Sequence, residues 1–325
     1  MSGRRIEATA PAWVDLAGGT PESWPACSPR PDAVTVSVAI DRRAWCSVET
    51  GVDGVRIESK DTLLKASGRT VDELIAAGPP VLALYVLRAL GVSTGVRVVT
   101  QSRVPEGSGL GGPASLAVAI AGAVGMAFDR VLPPDEVAAV VGGAETRALA
   151  GSQHAHPAVH GGVLCLRAGS APARVERLAT DPAKIEESLL LLDAGATLLP
   201  EVAPIDGDQR AREAFGVIAV LAGQVREALL AGRYEDLTGL MADEARARRQ
   251  LAPGWTTPQI DRIAELVRGA GGATRVCGGV VAVWARPGKR GPGGREAVRE
   301  AAQKAGLRLF PARVDLRGLD DEECA

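Results

Sequence analysis

Valines at 34, 36 and 38 and isoleucine at 40 alternate with small or polar residues, a period of two that lays one face of a strand on a core. Ala44–Glu49 and Gly54–Ser59 read as further strands, with turns predicted at Asp41–Arg43 and Thr50–Asp53. Upstream, Arg5–Thr9 and Ala12–Leu16 read as two short strands around Pro11. Thr70 caps a predicted helix ending near Gly78, Pro80 opens another to Leu90, and Gly95–Thr100 is a strand. A glycine-rich stretch then leads into an apolar helix, Pro113–Phe128, and a helix from Pro133 to Leu149 follows.

The second half changes rhythm. Gly162–Arg167 and Ala173–Leu178 read as paired strands, and Leu189–Asp193 as an apolar strand. Helical periodicity dominates Asp208–Ala231, Tyr234–Arg249 and Pro258–Gly269. Strands at Ala273–Val276 and Val280–Ala285, a helix at Arg295–Ala305 and a last strand at Leu307–Val314 complete the pattern. The run LDAGATLLPEVAPIDGD breaks all periodicity, so the predicted boundary divides the chain into domains 1–200 and 201–325 of an α+β protein. The acidic tail from Leu319 to Cys324 reads as solvated or disordered.

Composition narrows the function. The 325 residues are 46% hydrophobic and 23% charged, with a net charge of -2, so no strong field calls for nucleic acid or an anionic membrane. Aromatics make up only 3%, too few for a base-stacking platform. The five cysteines are scattered and never form Cys-x-x-Cys, which argues for free thiols in a reducing compartment. The N-terminal MSGRRIEATAP has no apolar signal core and no segment is long enough to span a bilayer, so a cytoplasmic protein is expected.

The chemistry concentrates at Pro105-Glu106-Gly107-Ser108-Gly109-Leu110-Gly111-Gly112. A strand, a glycine loop and a helix start together make an anion trap, because glycines admit positive φ and the helix start offers unpaired N–H donors. Neither Gly-Lys-Ser/Thr nor the dinucleotide fingerprint is present. Val104–Gly111 resembles the second motif of the GHMP kinases, Pro-x-x-x-Gly-Leu-Gly-Ser-Ser, which cradles ATP phosphates. Ala10–Glu22 resembles the substrate motif of that superfamily, in particular of the sugar-kinase branch that includes D-glycero-D-manno-heptose 7-phosphate kinases. Gly272–Gly279 resembles its C-terminal glycine motif.

The resemblance implies a two-lobed GHMP kinase fold, with an N-terminal domain of the ribosomal-protein S5 type and a C-terminal ferredoxin-like domain. It implies ATP and Mg²⁺ as cofactors, a sugar or sugar-phosphate acceptor, and it admits a homodimer. It assigns Pro105, Gly107, Ser108, Gly109, Leu110, Gly111, Gly112 and Ser115 to the nucleotide, and Asp15, Gly18, Gly19, Thr20, Gln153, Arg275, Gly278 and Gly279 to the substrate. Glu145, with Ser115 as a substitute, would hold the metal, and His154 and Glu22 would act in catalysis.

Four departures fall at chemical positions. Gly112-Pro113-Ala114 stands where the family has its serine pair, so the nearest hydroxyl, Ser115, is one residue late, a rotation of roughly 100° on a helix. His154 stands in place of an aspartate base, Trp13 replaces an arginine, and the C-terminal motif is shortened to Cys277-Gly278-Gly279. His154, His156 and His160 also raise a metal-assisted chemistry, although no cysteine lies near them. The sequence thus supports a small-molecule kinase with an atypical site; the alternative is an inactive relative that binds a ligand or a protein partner.

Overall fold

The computed structural model describes residues 3–19, 33–78, 81–147, 155–167, 174–195, 209–251, 256–288 and 290–324. Its first sheet is built on a long antiparallel pair, β1 (Arg5–Ala17) and β2 (Val34–Thr50). Pro11 does not split β1 in two. The register slips between Pro11 and Ala12, where Pro11 faces Arg43 and Ala12 faces Ile40, so Asp41 and Arg42 are carried as a bulge rather than the predicted turn. A bulge is where a strand tolerates a residue without an N–H.

The remaining strands of this sheet are β3 (Val55–Ser59), β4 (Lys65–Gly68), β5 (Val96–Gln101), β6 (Val163–Arg167), β7 (Arg174–Arg177) and β12 (Asp320–Cys324). The order is β12-β1-β2-β5-β3-β4, with β6 on the first half of β2 and β7 beyond it; β3 and β5 run parallel. The acidic tail is therefore not loose. It pairs with β1 from Arg5 opposite Cys324 to Thr9 opposite Asp320, and Glu323 meets Arg4 at 2.9 Å. Four consecutive carboxylates on an edge strand discourage another chain from adding to it.

Helices α1 (Val71–Ala77) and α2 (Leu82–Ala89) precede β5, and α3 (Gly112–Ala127), α4 (Pro134–Arg147) and α5 (Ala155–His160) follow it. α3 is buried on nearly every side, as its uniform small apolar residues require, and packs with α2, α4 and α5 over one face of the sheet. α5 coincides with the histidine-rich stretch, where the periodicity predicted no helix.

The second sheet has the order β11 (Leu309–Phe310), β8 (Leu189–Asp193), β10 (Val280–Trp284), β9 (Ala273–Val276), all antiparallel. One of its faces packs on α9 (Pro258–Gly269) and α10 (Arg295–Lys304). The other meets β1, β2, α7 (Gln209–Leu230) and α8 (Leu237–Leu251) in a shared core that joins the lobes. The sheets divide the chain differently from a cut at 200. β8, prepared by α6 (Pro182–Ser188), already belongs to the second sheet, and β12 returns to the first. Hydrogen-bonding partners distant in sequence decide membership, and no local pattern reports them.

Candidate active site

The glycine loop lies between β5 and α3, on the seam of the two lobes. Gly109 and Gly111 sit at φ 72° and 70°, and Gly111 is the left-handed N-cap of α3, with Pro113 in the first turn. The amides of Gly109, Gly111, Gly112 and Ala114 have no hydrogen-bond partner among the described residues, whereas that of Ser115 bonds to the Gly111 carbonyl at 2.9 Å. The loop therefore offers a set of unpaired donors at the positive end of a long helix.

The shortened C-terminal turn is packed directly onto this loop. The Gly279 N–H donates to the Gly107 carbonyl at 2.7 Å, and the Val280 N–H to the Ser108 carbonyl at 3.2 Å. A Cβ on Gly109 would overlap the Cys277 carbonyl and stand 2.8 Å from the Gly278 nitrogen. Gly279 and Val280 thus hold the cradle from outside through its carbonyls and leave its amides open.

Trp13 accounts for a further departure. Its backbone N–H donates to the Leu110 carbonyl at 3.3 Å, and its ring occupies the space a Cβ on Gly111 would need. The indole is 5% exposed, so it packs beneath the helix start as an apolar floor rather than reaching into the cleft.

The serines do not serve as the sequence suggests. Ser115 is fully buried, and its hydroxyl lies 2.9 Å from both the Pro11 and the Gly111 carbonyls. The late position on α3 turns it toward β1, as the 100° rotation implies, so it does not fit a metal ligand. Ser108 is buried too, and its oxygen accepts the Leu110 N–H at 3.4 Å. Glu145 lies on α4, which ends at Arg147, and its side chain is outside the described residues, as are Thr20, Glu22, Gln153 and His154.

The substrate motif is anchored by Arg275, which the resemblance assigned to the substrate, and by Glu244 and Arg248, which the sequence reading missed. The Gly18 N–H donates to Glu244 Oε1 at 3.2 Å, and the Gly18 carbonyl accepts from Arg275 Nη2 at 2.7 Å and from Arg248. The same Glu244 oxygen accepts Arg248 Nε at 2.9 Å and pairs with Arg275. Asp15 accepts the Ser37 hydroxyl at 2.7 Å, and its other oxygen stands 4.0 Å from Arg275. Burial, with the Arg275 charge beside it, lowers the Arg248 pKa to about 10. Glu244, Arg248 and Arg275 are nearly buried, so these charges persist only because they are paired. They line a cavity of about 30 Å³ with Leu16, Met241 and Thr274, and Glu244 Oε2 has no hydrogen-bond partner among the described residues. On a helix reading EARARRQ, Glu244 and Arg248 look solvated. Only the i, i+4 spacing of opposite charges hinted at their pairing.

His156 and His160 stack at 5.9 Å with nearly parallel rings, both on α5. Burial, then the neighbouring His160, pushes the His156 pKa down to about 4, and burial lowers that of His160 as well. Both rings are therefore neutral near pH 7. Among the described residues no cluster of three or more His, Cys, Asp or Glu side chains is arranged to hold a metal ion.

Comparison with known proteins agrees with this architecture. Residues 76–162 match the family model described as GHMP kinases N terminal domain. A mevalonate kinase from Thermococcus sibiricus is 35% identical over 120 residues, a match spanning 32% of this chain and 35% of that protein. The crystal structure of a D-glycero-D-manno-heptose 1-phosphate kinase from Bacteriodes thetaiotaomicron superposes with a TM-score of 0.79 at 20% identity, covering 98% of this chain and 99% of that one. A galactokinase from Lactococcus lactis, complexed with galactose, superposes at 0.71 with 12% identity, over 98% and 95% of the two chains. Residues 76–162, which hold the glycine loop and α3, thus match the GHMP kinase N-terminal domain, and the two-sheet framework around them has the fold of the sugar kinases it superposes on.

Proposed function

We propose that the protein is an ATP-dependent phosphotransferase acting on a hydroxyl of a sugar or sugar phosphate. The observation that carries this reading is the cradle itself, where the amides of Gly109, Gly111, Gly112 and Ala114 have no partner among the described residues while the Gly107 and Ser108 carbonyls accept from Gly279 and Val280. Such an arrangement offers donors to anionic oxygens and few acceptors to a cation. The phosphates of ATP fit it; phosphoryl transfer depends on positioning and charge neutralisation, which is what Mg²⁺ supplies when bound. The relative that superposes at 0.79 is a heptose 1-phosphate kinase by name, which supports a phosphorylated sugar as acceptor. In this reading the Asp15 carboxylate, 4.0 Å from Arg275, would receive the acceptor hydroxyl.

A second reading has its own support. Ser115 is committed to the Pro11 and Gly111 carbonyls and Trp13 fills the floor under Gly111, so two positions that carry chemistry in the resembled motif carry packing here. That favours a nucleotide-binding protein without turnover. One experiment separates the two. The melting temperature is measured with and without millimolar Mg·ATP, then ATP consumption is followed across sugars and sugar phosphates. Ligand at 100 times its dissociation constant adds about 2.7 kcal/mol. A magnesium-dependent rise with turnover on one acceptor establishes the kinase; a rise with no turnover leaves the binding protein; no rise refutes both.

A further inference from the structure

A cluster of arginines stands at the seam between the lobes, beside the segment that enters the cradle. Arg42, carried on the β1–β2 bulge, and Arg308, just before β11, both place their guanidinium groups over the ring of Phe310, at 4.8 and 5.0 Å from its centroid. Sharing one ring keeps the two charges within about one Debye length of each other. Arg42 also donates to the Arg103 carbonyl at 3.2 Å and the Pro311 carbonyl at 3.4 Å. Arg103 is exposed, two residues before Pro105.

Among the described residues none of the three forms an ion pair with a carboxylate. The acid beside Arg42 is Asp41, and its Oδ1 accepts the Arg313 N–H at 3.0 Å. The side chains of Arg103 and Arg308 have no hydrogen-bond partner among the described residues. Elsewhere on the chain, arginines such as Arg43, Arg226 and Arg299 are each matched with a carboxylate. Two cations braced on one ring, neither in an ion pair among the described residues, are an arrangement that an anion relieves.

Their position names the anion. The Arg308 carbonyl accepts the Asp193 N–H at 2.9 Å, the next residue, Ala194, donates to the Gly279 carbonyl at 2.9 Å, and Gly279 donates to Gly107. On the other side Arg103 leads through Val104 into Pro105 and the loop. We propose that Arg42, Arg103 and Arg308 form a cationic rim that takes the polyphosphate of a nucleoside triphosphate as it enters the cradle. The inference rests on the reading that the cradle holds nucleotide phosphates. The glycine loop has no lysine of its own, and the rim supplies charge from both lobes instead. Arg42 is tied to two carbonyls and keeps the geometry; Arg308, braced only on the ring, is the donor free to move onto a phosphate.

The test titrates sodium tripolyphosphate, ATP and adenosine into the full chain by calorimetry. Wild type is compared with Arg308→Ala, Arg308→Lys and a control, Arg262→Ala, an exposed arginine of α9. A charge-assisted hydrogen bond supports about a tenfold change in affinity. Arg308→Ala is expected to weaken tripolyphosphate and ATP about tenfold, Arg308→Lys by less, and Arg262→Ala not at all, with adenosine unaffected by any. Equal affinity in wild type and Arg308→Ala, or an equal loss in Arg262→Ala, overturns the rim. Tripolyphosphate binding that depends on Arg308 without any binding of ATP shows an anion site at the rim but overturns its assignment to a nucleoside triphosphate, along with the nucleotide reading. Binding of neither by wild type refutes both.

Discussion

Replacing Gly109 by alanine tests how closely the two glycine turns are pressed together. The new methyl group would overlap the Cys277 carbonyl and stand 2.8 Å from the Gly278 nitrogen, so one turn must retreat. Overpacking of this kind costs about 1–3 kcal/mol. The residue also has φ 72°, a left-handed conformation that adds about 1–2 kcal/mol for any L side chain. Gly107 separates the two contributions. It has the same φ, 72°, but nothing lies within 4 Å of where its methyl group would stand. Both alanines lower the entropy of the unfolded chain equally, so that effect cancels in the comparison. Gly107→Ala is expected to cost about 1–2 kcal/mol and Gly109→Ala about 2–5 kcal/mol by urea melts read at constant m. Any response to Mg·ATP should also fall further in Gly109→Ala, because the cradle moves with the displaced turn. Equal midpoints for the two variants would show that the turns do not touch as described.

Glu244→Gln leaves Arg248 and Arg275 buried without their carboxylate, which should cost about 3–5 kcal/mol in chemical denaturation; Leu251→Ala at the end of the same helix supplies the comparison for a purely apolar loss. Arg43→Met should cost about 3 kcal/mol, since it strands the buried Asp315 and frees the carbonyls of Thr9 at 2.9 Å and Gly318 at 2.5 Å. Hydrogen exchange in β12 should rise with it, and unchanged protection there would contradict the role. Acid should weaken the fold through His156. Its pKa falls from 6.5 to about 4 on folding, so the unfolded chain binds the extra proton, and the stabilisation is whole above pH 6.5 and drains away as pH falls toward 4. The amount is about 3 kcal/mol, and His156→Gln should flatten that part of the pH–stability curve.

Much of this molecule is legible locally. The period-two run at Val34–Ile40 becomes the first part of β2, the Thr70 cap is made as a side-chain-to-amide bond, and the glycine loop opens α3 where Pro113 suggests. The elements missed are short or depend on distant partners. β4, α5 and α6 are four to seven residues long, and β12 is an acidic segment that is a strand only because β1 lies beside it.

At the site the same division holds. Residue identity sufficed to mark the cradle, because glycine and proline act on their own backbone. Whether Ser115 faces the cradle or Pro11, whether Trp13 enters the cleft or floors the helix, and which carboxylate receives Arg275 are settled by neighbours up to 257 residues away in the chain, as with Gly18 and Arg275. Local dihedral preferences are written in the sequence. The direction of a side chain and the partner of a charge depend on which surfaces burial brings together, and only the tertiary structure decides that.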